Sequence, residues 1–316
     1  MRAAGRPVAG RRLASIDLGT NTVRVLIVEA TGEPWTVVEQ DQMVTRLGEG
    51  LAVTGRLGET PMARTTAVVD AYVDRARRAG AAEIRIIATS AVREAANGAE
   101  FAAALERKTG AGVRVVSGPE EARLTVLGIV RGLGPWIGPL LAFDIGGGST
   151  EFVRARDGRV EAAVSLTVGV VPLAERYGFP GPVDRARYRA LEDEIRERLM
   201  AELPPAIRQA GVPDLVGTAG TVTTLAALDL GLARYDVTRV HGHRLGRAAL
   251  ERLRDRLGAL TVEQRAALPC LEPGRADLIV PGVAIVLAAL DATGTAGVVA
   301  SDWGLREGIM VEAIER

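Results

Sequence analysis

The chain has 316 residues, 47% of them apolar, and its 39 basic side chains are balanced by 39 acidic ones. This length and apolar content fit a well-cored globular protein of two domains, and the balanced charge argues against a broad nucleic-acid-binding surface. No apolar run is long enough for a convincing membrane span, because the richest, Leu278 to Leu290, is short and carries Pro281 and Gly282.

Residues 1–12 hold arginines without the apolar middle of a secretory signal, which reads as a flexible leader on a cytoplasmic protein. Leu13, Ala14 and Ile16 then lead as a strand into Asp17-Leu18-Gly19-Thr20-Asn21-Thr22, and Val23 to Val28 lead out as a second. A third strand covers Thr36 to Val44. A helix follows from Pro61 to Ala79, with Thr60 to cap it and Gly80 to end it. Glu83 to Ala88 reads as a buried strand, Ala99 to Lys108 as a helix, Val113 to Val116 as a strand and Pro119 to Leu133 as a helix. The glycine- and proline-rich stretch 132–139 marks a domain boundary after residue 134. Beyond it the hairpin plan repeats: Leu140 to Phe143 feed Asp144-Ile145-Gly146-Gly147-Gly148-Ser149-Thr150, and Phe152 and Val153 drain it. The remainder predicts a strand at Arg159 to Leu166, helices at Val171 to Tyr177 and Val183 to Gln209, and a strand at Leu215 to Gly217. A helix over Thr221 to Asp229 follows, and a last one opens at Trp303 with Ser301-Asp302 before it as a cap.

The two aspartate-glycine loops carry the chemistry. Glycine lets the backbone approach a ligand and turn its N–H groups inward, the hydroxyls of Thr20, Thr22, Ser149 and Thr150 add donors, and Asp17 and Asp144 can each hold Mg²⁺ or its waters. Arg93 falls on the turn beyond a strand end, where open α/β sheets bind ligands, and is a candidate phosphate clamp. Glu120 and Glu121 open a helix beyond another strand end, and either could orient and deprotonate a water for attack on a phosphoryl group. Their spacing does not choose between them, since adjacent helical residues point about a quarter-turn apart. Cys270, the single cysteine, excludes an internal disulfide, and His241 and His243 lack an evident third partner for a metal site.

A duplicated, hairpin-led α/β unit resembles the actin-like ATPase and sugar-kinase superfamily, two ribonuclease H-like domains with the ligand in the cleft between them. The two loops, the stretch from Ala88 to Asn97, Ser117 to Leu124, Gly217-Thr218-Ala219-Gly220-Thr221 and the tail Ser301 to Gly308 together resemble the exopolyphosphatase and guanosine pentaphosphate phosphohydrolase family, in its short two-domain form. The resemblance covers nearly the whole chain from Leu13. It implies a cytoplasmic, dimeric hydrolase dependent on Mg²⁺, with Mn²⁺ as an alternative, that acts on inorganic polyphosphate or guanosine pentaphosphate and binds neither nucleic acid nor membrane. It implies Glu121 as the catalytic base and Arg93 as a phosphate-holding residue that stabilises the charge developing on the phosphoryl oxygens. Asp17, Gly19, Thr20, Asn21 and Thr22 would hold phosphate, as would Gly146, Gly147, Gly148 and Ser149, with Arg275 along the substrate path. Asp144 would hold the cation, with Glu151 as an outer contact. It also implies that the last helix returns to the first domain, giving 13–134 plus 303–316 against 135–302. Two rivals share the loops: a weakly catalytic sensor of guanosine tetra- or pentaphosphate, and an actin-like ATPase or kinase.

Overall fold

A computed structural model describes residues 10–31, 35–134 and 136–315. Three antiparallel strands, β1 (Arg11–Leu18), β2 (Thr22–Ala30) and β3 (Thr36–Val44), open the chain. They are followed by α1 (Leu51–Thr54), α2 (Glu59–Arg78), β4 (Glu83–Ala88), α3 (Ser90–Glu94), α4 (Gly98–Thr109) and β5 (Val113–Val115). The first sheet runs in the order β3-β2-β1-β4-β5, with β4 parallel to both β1 and β5. Of the expected leader, residues 1–9 lie outside the described residues, and Arg11 and Arg12 belong to β1 instead.

After α5 (Gly118–Leu133) the plan recurs as β6 (Pro139–Ile145), β7 (Thr150–Arg156) and β8 (Arg159–Leu166). The helices α6 (Val170–Tyr177), α7 (Arg185–Glu202) and α8 (Pro205–Arg208) come next, then β9 (Leu215–Thr218), α9 (Ala219–Asp229) and α10 (Val237–Val240). The chain closes with β10 (Arg244–Gly246), α11 (Arg247–Gly258), α12 (Val262–Ala266), a 3₁₀ turn at Pro273–Arg275, α13 (Ile279–Thr293), β11 (Gly297–Ala300) and α14 (Leu305–Ile314). Its sheet order, β10-β11-β9-β6-β7-β8, repeats the first sheet with β10 added as an antiparallel edge. The fold is therefore the expected duplicated, two-domain α/β architecture.

Side chains alternate across each sheet, as the two-residue strand period requires. In β1, Ala14, Ile16 and Leu18 join the core beneath α2 and α4, while Leu13 joins Met310 and Ala313 of α14 on the other face. In β6, Leu141, Phe143 and Ile145 face the larger core, which contains most of α13, and Leu140 and Ala142 face Ala122, Val126 and Ile129 of α5. The two helices thus exchange places: α5, which follows the first unit, covers the second sheet, and α14, which follows the second, covers the first. They meet through glycines. A Cβ at Gly128 would stand 2.0 Å from the Gly304 carbonyl oxygen, and one at Gly308 would stand 1.8 Å from that of Leu124.

Several local expectations change. Thr60 does not cap α2, which begins at Glu59, two residues earlier than expected, behind Gly58 with no side-chain cap. The long helix expected over 183–209 breaks at Leu203, whose backbone turns extended ahead of Pro204, because the residue before proline is disfavoured in the helical region. Trp303 lies outside α14 and stacks on Trp35 with ring centroids 4.9 Å apart. The helix starts at Leu305, where Glu307 accepts the Gly304 N–H at 2.9 Å. Among the described residues no helix is long and apolar enough to cross a membrane.

Candidate active site

The two hairpin turns are closed by equivalent hydrogen bonds: Gly19 N–H donates to the Thr22 carbonyl at 3.1 Å, and Gly146 N–H donates to the Ser149 carbonyl at 2.9 Å. An aspartate stands one residue before the end of each feeding strand, Asp17 in β1 and Asp144 in β6. Their cross-strand neighbours differ, for Asp17 faces Arg24 and Asp144 faces Glu151. Opposite charges across a strand pair stabilise and like charges do not, so the second hairpin is left with surplus negative charge. Arg24 Nη1 lies 3.7 Å from Asp17 Oδ2. Glu151 is turned away toward β8, where the Ser165 hydroxyl donates to it at 2.6 Å.

From the first loop Asp17, Gly19, Thr20, Asn21 and Thr22, and from the second Asp144, Gly146, Gly147, Gly148 and Ser149, line one cavity between the units. Glu121 and Arg275 line it too. The loops nearly touch. A Cβ at Gly147 would be 2.9 Å from Thr20 Cβ, and one at Gly148 would be 2.5 Å from Ser90 Oγ, so only glycine admits this approach.

The structure separates the two adjacent glutamates. Ser117 caps α5 by accepting the Glu120 N–H at 3.3 Å, which fixes the helix's first turn. Glu120 then points outward to Arg114 at 2.9 Å, whereas Glu121 is buried in the cavity wall. Arg93 approaches Glu121 from the first unit. It lies nearly one helical turn into α3, directed at the β5–α5 junction, and it donates to Glu121 Oε2 at 2.8 Å and to the Val116 carbonyl at 3.1 Å. Its guanidinium therefore grips the glutamate. Glu151, on β7, is buried as well.

Burial, and then the charge of Glu151, pushes the Glu121 carboxyl well above the usual carboxylate range, with Arg93 opposing the rise. The same two causes, in the same order, push Asp144 up to about 7. Asp17 and Glu151 are also raised, each chiefly by burial. On the opposite side, burial and the neighbouring charge of Arg24 push Arg275 down to about 10. Arg275 lies across Gly220, where a Cβ would come within 1.7 Å of Nη1, and its Nη2 donates to Thr22 Oγ1 at 3.2 Å. Gly220 is thus fixed by the passage of an arginine, and Ala219 beside it adopts a left-handed φ of 67°.

Arg24 was not foreseen, although the signal was present: pairing the hairpin about its turn sets residue 24 opposite Asp17. Arg24, Arg275, Asp144 and Gly220 also border a wider cavity that reaches Arg306 and Tyr235. Cys270 lies on the rim of that second cavity and donates to the Leu232 carbonyl at 3.4 Å. The histidines are engaged elsewhere, His243 with Asp229 at 2.8 Å and His241 with the Asp302 N–H at 3.1 Å.

Among the described residues no three His, Cys, Asp or Glu side chains are grouped as a metal-binding set. Mg²⁺ does not require one, because it commonly keeps several waters and takes one or two carboxylates together with substrate phosphate. Asp144, facing the cavity with its carboxyl pushed up by burial and by the charge of Glu151, fits such a cation.

A profile of the Ppx/GppA phosphatase family matches residues 26–316. The chain is 36% identical over 288 residues to exopolyphosphatase 2 of Mycobacterium tuberculosis, covering 87% of this chain and 88% of that protein. Among solved structures, the Ppx/GppA family member of Aquifex aeolicus superposes with a TM-score of 0.81 at 30% identity, covering 96% of this chain and 98% of that one. An exopolyphosphatase of Cytophaga hutchinsonii, at 24% identity and the same 96% coverage of this chain and 98% of its own, shares the fold with a TM-score of 0.89.

Proposed function

The chain belongs to the Ppx/GppA phosphatase family, and from that membership we propose that it is a phosphohydrolase releasing terminal phosphate from inorganic polyphosphate, with the 5′ γ-phosphate of guanosine pentaphosphate as a second substrate. The observation that supports this reading best is the placement of Glu121, a buried carboxylate oriented by Arg93 at the wall of a cavity closed by two glycine loops.

In this reading the terminal phosphoryl group sits between the loops, where N–H groups and the hydroxyls of Thr20, Thr22 and Ser149 donate to its oxygens. Arg24 and Arg275 attract the polyanion from the side of the wider cavity. Glu121 accepts a proton from a water as that water's oxygen bonds to phosphorus, and the bond to the bridging oxygen breaks, so that orthophosphate and a shortened chain result. Arg93 keeps the glutamate's oxygen aimed and its negative charge stabilised. A divalent cation held at Asp144, with Glu151 behind it, would neutralise the phosphoryl and leaving-group oxygens.

The test is phosphate release by purified protein with Mg²⁺ from short and long polyphosphate, guanosine pentaphosphate and ATP. Release from polyphosphate that falls about 10²–10⁴-fold in Glu121→Gln is expected, the range for loss of a positioned general base. No release from any substrate, with guanosine tetraphosphate still bound tightly, would replace the hydrolase with a sensor.

A further inference from the structure

Across the cleft from the catalytic wall, one arginine ties the two units together. The turn after β3 is bound to the first glycine loop: the N–H groups of Thr45 and Arg46 both donate to the Asn21 carbonyl at 2.9 Å, and Gly48 N–H donates to that of Thr20 at 2.9 Å. Arg46 holds a left-handed φ of 49° there, a conformation that non-glycine residues seldom adopt without a compensating role. Its guanidinium leaves the first unit and forms a two-pronged pair with Asp277, Nη1 to Oδ2 and Nη2 to Oδ1, each at 3.0 Å. Nη2 also donates to the Gly274 carbonyl at 3.2 Å. The two acceptors flank Arg275, the cation that reaches Thr22 of the first loop and lies across Gly220.

We propose that Arg46 is a positioning residue that, by gripping Asp277 and Gly274 on either side of Arg275, seats that guanidinium over the first loop and holds the cleft in its substrate-binding form. The proposal rests on the phosphohydrolase reading and adds to it what places the arginine on the substrate path. A simpler role in stability does not account for the arrangement. Both side chains of the Arg46–Asp277 pair are more than a third exposed, and such pairs contribute little to stability. The planar fork instead fixes direction, which a lysine's single point charge would not. Neighbouring contacts run the same way, since Gln42 Nε2 donates to Glu272 at 3.2 Å and Arg275 reaches Gln42 Oε1 at 3.4 Å, so the 272–277 segment is held from the first unit at several points.

The test uses Arg46→Asn, which keeps a residue tolerant of the left-handed backbone while removing the fork, together with Asp277→Asn, the double variant and Arg46→Lys. Steady-state kinetics on polyphosphate should show KM raised about three- to fivefold in each single variant with kcat changed less than about 1.5-fold, the signature of lost ground-state binding. The double variant should be no worse than either single, because both remove the same interaction, and Arg46→Lys should fall between wild type and Arg46→Asn. Arg247→Asn, in an exposed pair with Asp291 away from the cleft, is the control and should leave KM unchanged. A second readout needs no turnover. Spin labels at exposed Val53 and Met200, one in each unit, in a Cys270→Ser background should report longer and broader distances when Arg46 is replaced. Unchanged KM and unchanged distances, or effects that add fully in the double variant, would overturn the positioning role. A wild-type protein that releases no phosphate but still loosens on Arg46→Asn would retire the phosphohydrolase reading and leave the clasp standing.

Discussion

At the scale of single residues, the burial of the site's carboxylates sets its behaviour with pH. Glu121 must be ionised to accept a proton, and its carboxyl is already pushed up by burial and by Glu151. Removing the Arg93 guanidinium withdraws the charge that opposes this rise. Arg93→Ala should therefore move the acidic limb of the kcat/KM profile to higher pH, with activity partly regained in alkaline buffer; a flat loss at every pH would place Arg93 on the substrate instead. Asp144 carries a second consequence. Its pKa in the fold is raised from 3.8 to about 7, so between those values the native state holds a proton that the unfolded chain has lost. Its contribution to stability is then favourable at low pH and declines as pH rises through that window. In calorimetry without metal, wild type should lose melting temperature relative to Asp144→Asn between pH 5 and pH 8. Mg²⁺ should restore more at pH 8 than at pH 5, because it competes with the proton for the same carboxylate. Equal effects of Mg²⁺ at both pH values would remove Asp144 from the proposed cation site.

Elements were legible where their pattern was local. Both hairpins, the glycine loops and the strand and helix order of the first unit follow from apolar runs punctuated by glycine, and so does the separation of the chain into two similar halves. The edges of the second unit were not readable. Strand β11 is four residues of Gly297–Ala300 and β10 only three, too short for any alternation to register, and they are fixed by pairing with one another and with β9. Nor does spacing reveal Arg265, which is fully buried among backbone carbonyls and has no carboxylate within ion-pair distance among the described residues. It donates to the carbonyls of Leu257, Phe179 and Leu260 at 2.8 Å and to that of Gly181 at 3.2 Å, and so joins α11, α12 and the loop after α6. Arg265→Met should cost about 3–5 kcal/mol in denaturant unfolding, because several buried acceptors lose a charged donor at once. A loss below about 1 kcal/mol would mean that the carbonyls find other partners when the arginine is gone.

At the scale of the molecule, what joins the halves is the exchange of α5 and α14; the resemblance implies the return of α14, but the pattern of α5 alone reads as the end of the first unit. Gly128 and Gly308 become intelligible only once the helices are seen to cross with backbone against backbone. The residues of the site were legible for a related reason: the loops are local, while Arg24 and the true orientation of Arg93 depend on register and on a helix that arrives from elsewhere. The exchange leads to a strong expectation. Leu305, Ile309 and Met310 are buried by α14 against β1, β2, α5 and Val116, so that neither sheet is covered on its inner face without the other half's helix. Burying each such side chain contributes about 1.5–3 kcal/mol, so the three together supply about 5–9 kcal/mol, comparable to the whole net stability of an ordinary domain. A chain ending at Asp302 should therefore lack a cooperative thermal transition and bind a hydrophobic dye, whereas Gly308→Ala, which keeps the helix but forces the crossing apart, should remain folded with about 1–3 kcal/mol less stability. If the shortened chain still melts cooperatively near the wild-type temperature, the two units fold independently and α14 docks afterwards. In that case the closing of the cleft would owe little to the exchanged helices and would have to come from contacts such as the Arg46 clasp.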